Sequence, residues 1–175
     1  RINLDNTFII SNDAEPTTLD PALVTNISDG RICRALFEGL VTLDPKTLQP
    51  IPGYGSWTLS KDLQTYTFTI RSDAKWSNGD ALTAHDFYYS WHRILSKQVA
   101  SPYSALLFVI KNAEPFYKGE VKSFSNVGIK VASPQVLRIT LEQPTSYFPE
   151  LLAYPTFFPV NKSCIEKFGN QWTLA

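Results

Sequence analysis

The sequence predicts an α+β fold, with mixed sheet segments, hairpins and peripheral helices, and three observations carry that prediction. Two separate stretches, Ser56–Arg71 and Asn126–Leu141, alternate residue types on either side of a polar turn, which is hairpin patterning. Apolar residues recur at helical spacing from Ser28 to Val41 and again from Ala84 to Leu95. Hairpins and helices come in mixed order with no repeating βαβ unit, which argues against a parallel core.

The elements follow in chain order. Thr7-Phe8-Ile9-Ile10 reads as a short buried strand, with Thr18-Leu19-Asp20-Pro21 as the loop after it. A long insert separates that strand from whatever pairs with it. From Ser28 to Val41, Ile32, Ala35, Leu36 and Leu40 mark a helix with Gly39 near its C-terminal end. Pro45, Pro50 and Pro52 are expected to break the chain. The first hairpin pairs Ser56–Leu59 with Thr65–Arg71 around Ser60-Lys61-Asp62, and puts Tyr66, Phe68 and Ile70 on one face.

The stretch AKWSNGDALTAHDF comes next. Ser77-Asn78-Gly79-Asp80 is turn chemistry, because Asn and Gly tolerate positive φ. Thr83 stands three residues before Asp86, the spacing of a capping box, so a helix is expected from Ala84 to about Leu95. Phe87, Trp91 and Ile94, with Tyr88 and Leu95, form its apolar side. A second hairpin, Asn126–Val131 with Gln135–Leu141, turns at Ser133-Pro134, and two short helices follow near Ser146–Ala153 and Lys162–Phe168.

Composition excludes several functions. The 175 residues are 43% hydrophobic and 13% aromatic, enough for a substantial core. Lys plus Arg and Asp plus Glu number 16 each with no long run of either sign, so the basic footprint of a nucleic-acid binder is missing. The apolar runs fall short of the roughly 20 residues a spanning helix needs. RINLDNTFII lacks the apolar centre of a secretory signal, which leaves export open for a processed chain. Cys33 and Cys164 read as separate packed thiols; a disulfide between them is the alternative, and their spacing does not decide it.

Chemical motifs are few. His85 and His92 lie seven apart, wider than the three or four residues usual for ligands on successive helical turns, and no third ligand is evident, so no metal is expected. Nucleophile elbows, Walker loops and Cys/His pairs are absent, and no cofactor or enzymatic activity is expected. Aromatics crowd the central third: Trp57, Trp76, Tyr88, Tyr89, Trp91 and Tyr103. Trp76 and Trp91 read as core. Tyr103, in a loop after Ser101-Pro102, either packs on the surface or offers a flat face and a hydroxyl to a ligand.

The run WTLSKDLQTYTFTIRSDAKWSNGDALTAHDFYYSW resembles the characteristic stretch of peptide/nickel-type extracellular solute-binding proteins, the receptors that feed ABC importers. Thr18-Leu19-Asp20-Pro21-Ala22, ALFEGL, FYYSWHRIL, ASPY and NKSCIEKFG are similar to the oligopeptide-binding branch, and the likeness runs through essentially the whole chain. Members of this family fold as two lobes around a ligand cleft, in chains several times longer than one ordinary domain. The resemblance therefore implies the N-terminal third of a two-lobed periplasmic-binding-protein-like fold (type II). Residues 1–40 would be the first segment of one lobe, 41–160 an inserted accessory domain, and 161–175 the return toward the first lobe. Trp76 and the Asn78-Gly79 turn are expected to lock the inserted hairpin to its helix.

The resemblance also implies a mechanism. In oligopeptide receptors an extended peptide is held by main-chain groups as an added strand, while its side chains enter roomy, hydrated pockets. Thr25, Asn26 and Ile27 fall where relatives pair with the peptide backbone, and Tyr103 where relatives place a cleft aromatic; the alternatives are a loop leading into a helix and a packed surface tyrosine. Relatives often carry an acidic residue at the position of Thr25, which here brings no charge. Either a free N-terminus is recognised weakly, or the ligand is an atypical peptide such as one from cell-wall material. The implied partners are short peptides and a membrane ABC permease, with no nucleic acid, for a monomer in the periplasm or lipid-anchored at the cell surface. Hinge closure would bury the ligand on all sides, so one lobe alone is expected to bind weakly. Receptors of the same architecture for a nickel chelate, haem or oligosaccharide, or a chaperone-like surface protein, are the rival readings.

Overall fold

The computed structural model of the chain describes residues 10–174. The expected strand at Thr7–Ile10 lies outside them except for Ile10, which is exposed. A 3-10 turn at Pro21–Leu23 leads into α1 (Ile27–Leu36). The helix ends sooner than its apolar spacing predicts. Phe37 is extended, and its N–H donates to Cys33 O at 2.9 Å. The physical reason lies beyond the helix. Gly39 and Leu40 accept backbone hydrogen bonds from Gly53, Tyr54 and Gly55, which draws the chain straight, and Leu40 and Val41 enter the core. A Cβ on Gly39 would sit 2.9 Å from the Phe158 ring, so this glycine serves close packing rather than helix capping.

The prolines do not merely interrupt the chain. β1 (Val41–Leu43) pairs antiparallel with β2 (Pro50–Pro52), a two-stranded ribbon that tolerates residues without an N–H because β2 is an edge. Both expected hairpins form: β3 (Gly55–Leu59) with β4 (Thr65–Ile70), and β5 (Ile129–Ser133) with β6 (Val136–Thr140). Pairing of β4 with β6 joins them into one antiparallel sheet in the order β3-β4-β6-β5. In β4 the alternation is clean, with Tyr66, Phe68 and Ile70 buried and Thr65, Thr67 and Thr69 on the wetter face.

Helix α2 (Ala84–Ile94) covers the apolar face of this sheet. Phe87, Trp91 and Ile94 are fully buried against a core that includes Phe68, Leu137, Ile139, Phe148 and Phe157. The Asp86 carboxylate accepts from the Thr83 N–H at 2.7 Å and the Thr83 hydroxyl at 3.0 Å, which fixes the helix start. The preceding turn is closed by the Trp76 N–H to Asp80 O at 2.9 Å, with Gly79 at φ +92. The Ala84 N–H donates to Pro134 O at 2.7 Å, tying the helix start to the turn of the second hairpin.

A 3-10 segment at Ser104–Val109 and α3 (Ala113–Lys118) fill a stretch without clear helical periodicity. The two expected C-terminal helices appear as α4 (Phe148–Leu151) and α5 (Lys162–Phe168), followed by a 3-10 segment at Gly169–Leu174. Both cysteines are unpaired thiols. Burial raises Cys33 to a pKa of about 11, with Asp29 and Asp20 adding to the effect, so it is an inert packed thiol.

Candidate functional site

Two regions far apart in sequence, Asp20–Ala22 and Arg93–Tyr103, converge at the N-terminal side of α1. The Arg93 guanidinium, on α2, donates from Nη1 to Asp20 Oδ1 at 2.9 Å and from Nη2 to Asp20 Oδ2. Their side chains are only 15% and 6% exposed, which makes this a buried, bidentate pair. Asp20 also accepts from the Ala22 N–H at 3.0 Å, and Ala22 O accepts from the Ser101 hydroxyl at 2.6 Å. The loop holding Tyr103 is thereby pinned to the Pro21–Leu23 turn.

The chain leaves that turn extended, with Val24 at φ -63, ψ 126 and Asn26 at φ -115, ψ 165. Among the described residues, neither the N–H nor the C=O of Thr25 between them takes a hydrogen-bond partner. Asn26 then starts α1, its Oδ1 accepting from the Asp29 N–H at 2.8 Å. Its Nδ2 donates to Asp29 Oδ2 at 2.9 Å. The Asn26 amide is thus committed to Asp29, while its backbone N–H takes no partner among the described residues.

Asp29 is fully buried and cannot stand in for the acid missing at Thr25. Its carboxylate accepts from the Thr17 N–H at 2.9 Å and the Thr17 hydroxyl at 2.6 Å, besides Asn26. Burial alone would raise its pKa. The hydrogen bonds from Thr17 and Asn26 outweigh that and hold it below the ordinary carboxylate value.

Thr25, Asn26, Ile27 and Tyr103 all line one open concavity of about 430 Å³. The structure thus brings the four sequence-predicted positions to one place. Among the residues it adds, and that sequence reasoning missed, are Arg31 and Arg34 of α1, and Tyr154. Ile27, Tyr103 and Tyr154 are 81%, 39% and 51% exposed, so their apolar faces are available. The i, i+3 spacing of the arginines was a readable signal that they share a helix face. Nothing local in sequence placed Tyr154 there.

A second concavity of about 470 Å³ lies at the C-terminal end of α1, lined by Leu36, Phe37, Tyr54, Trp76 and Trp172 among others. The Trp76 ring packs against the core on one side and forms this wall on the other. His92 stands against Phe116 and Phe124, ring centroids 5.8 and 4.6 Å away, and burial lowers its pKa. Among the described residues no three His, Cys, Asp or Glu side chains gather as metal ligands. No helix among them is long and apolar enough to cross a membrane.

The family model for bacterial extracellular solute-binding proteins, family 5 Middle, matches residues 54–174. The chain belongs to this family. It is 38% identical over 169 residues to the periplasmic oligopeptide-binding protein of Salmonella typhimurium, covering 95% of this chain and 31% of that protein. A periplasmic oligopeptide-binding protein from Borrelia burgdorferi superposes with a TM-score of 0.87 at 37% identity, over 91% of this chain and 32% of its own. The Haemophilus influenzae oligopeptide-binding protein in complex with the peptide RPPGFSPFR superposes at 0.86 with 33% identity, over 92% and 32% of the respective chains. The chain thus spans about a third of the length of these solute-binding relatives.

Proposed function

We propose that this chain is the N-terminal part of the substrate-binding component of an ABC peptide importer, which captures short peptides between two lobes and delivers them to a membrane permease. The observation that carries the reading is the extended Val24–Asn26 segment, whose middle residue has an N–H and a C=O without a partner among the described residues, beside an open concavity. A peptide strand added there gains hydrogen bonds common to every peptide, which suits broad specificity. Thr25, the backbone of Asn26, Ile27 and Tyr103 are the ligand contacts. Residues 1–40 and 161–175 belong to one lobe in this reading, and 41–160 to an accessory domain. The receptor works without catalysis, as an exported monomer, periplasmic or lipid-anchored at the cell surface.

Thr25→Pro in the full-length receptor tests the pairing, because proline removes the N–H and Val24 is already extended, as the residue before a proline prefers to be. Calorimetry should show affinity falling by a similar factor, about tenfold, for peptides of unrelated sequence. A variant that folds and binds all of them as tightly as the wild type would refute backbone pairing at this edge. Native mass spectrometry of the purified receptor, with sequencing of what is released, should find short peptides. A metal complex, haem or a sugar in their place would reassign the ligand and keep only the fold.

A further inference from the structure

The concavity beside Thr25 also bears on which peptides it takes, an inference that rests on the peptide-receptor reading above. Arg31 and Arg34 stand three residues apart on α1 and both line it, whereas among the described residues no Asp or Glu does. Arg34 donates from Nη1 to Ala153 O at 2.9 Å, which holds its guanidinium against the wall. Arg31 donates from Nη1 to Ser11 O at 3.1 Å and Asn12 Oδ1 at 3.5 Å. Asp13 approaches that same nitrogen at 3.8 Å, but its carboxylate is 80% exposed and outside the concavity, so the pair is weak and screened.

Each guanidinium thus spends one nitrogen on the protein. Among the described residues their remaining N–H groups meet no protein acceptor. A guanidinium edge matches a carboxylate in a two-point fork, a geometry that an amide or hydroxyl reproduces poorly. A cationic ligand group would meet two positive charges and no compensating acid.

We propose that this concavity is a carboxylate subsite, which selects peptides with an acidic side chain at the position lying over α1, with Arg31 as the discriminating residue. Side chains alternate along an extended peptide, so a strand paired at Thr25 sends only alternate residues toward the two arginines. The selectivity is therefore expected at one register of the ligand and to be absent at the neighbouring position.

The test uses the full-length receptor and alanine-based pentapeptides in which each position in turn is Glu, Gln or Lys, with affinities from calorimetry. In the wild type, Glu is expected to bind about tenfold tighter than Gln at one position, with Lys weakest there. Arg31→Gln should bring that Glu-to-Gln ratio close to one, and Arg31→Glu should favour Lys. Arg31→Lys, which keeps the charge but not the fork, should give an intermediate ratio. Because only ratios within one variant are read, a general loss of affinity does not confuse the result. Equal affinities for Glu and Gln at every position, or a ratio unchanged by Arg31→Gln, would overturn the subsite while leaving the peptide reading standing. Failure to bind any pentapeptide, neutral ones included, would overturn both.

Discussion

In α2 the large apolar residues Phe87, Trp91 and Ile94 are at most 1% exposed, and the helix closes over its own sheet. In α1 Ile27 and Leu36 are 81% and 63% exposed, and the side chains fully removed from solvent are Asp29 and Cys33. Helix α2 is held by burying hydrocarbon, α1 by a polar tether through Thr17, Asn26 and Asp29 and by Arg34 on Ala153 O. A helix anchored this way keeps its apolar side chains and the adjoining backbone free for other contacts. Exposed apolar residues gathered around a concavity are what an interaction surface requires.

Four substitutions break or sharpen this contrast. Trp91→Ala should have the largest effect, about 3–5 kcal/mol in urea denaturation, because it empties a fully buried site between Phe87 and Phe157. It also leaves Phe157 O without the indole N–H that reaches it at 3.0 Å. A loss below about 1 kcal/mol would mean that the core is looser than it looks. Asp20→Ala strands the Arg93 guanidinium and is expected to cost about 3 kcal/mol. It should also speed amide exchange around Ser101–Tyr103, since the Asp20-Pro21 loop anchors that segment.

Asp29→Asn should cost about 2 kcal/mol at neutral pH, as several hydrogen bonds converge on a buried charge. The sign with pH follows from the lowered pKa. The stabilisation is complete above the ordinary carboxylate range and disappears as pH falls through the native value. The gap between wild type and variant should therefore narrow progressively below about pH 4. A constant gap down to pH 2 would show that the tether does not depend on the charge. Leu36→Ser should change the stability of this chain by no more than about 0.5 kcal/mol, because the side chain is mostly exposed. The same change in the full-length protein should cost more, and an equal, negligible cost there would show that this face stays open to solvent.

Much of the sheet and α2 was legible from periodicity. Alternation in TYTFTI and the spacing of Phe87, Trp91 and Ile94 encode burial directly, because each side chain follows the geometry of its own element. The β1–β2 ribbon was not, since its prolines argue locally against a strand and only pairing to Val41–Leu43 justifies them. Nor was the early end of α1, where backbone bonds to the distant Gly53–Gly55 override a continuing apolar pattern.

The candidate site divides in the same way. Family resemblance pointed to Thr25, Asn26, Ile27 and Tyr103, but which atoms they offer depends on neighbours remote in sequence. Asn26 spends its amide on Asp29, whereas the Thr25 backbone groups take no partner among the described residues. The sequence by itself determined the α+β class, both hairpins, the core face of α2 and the kinship with the solute-binding proteins, because these rest on local periodicity and ordered motifs. Only the tertiary structure decided that Arg93 and Ser101 bring Tyr103 beside Thr25, and that Arg31, Arg34 and Tyr154 complete the concavity. Those are long-range contacts, and no local pattern specifies which distant residues will meet.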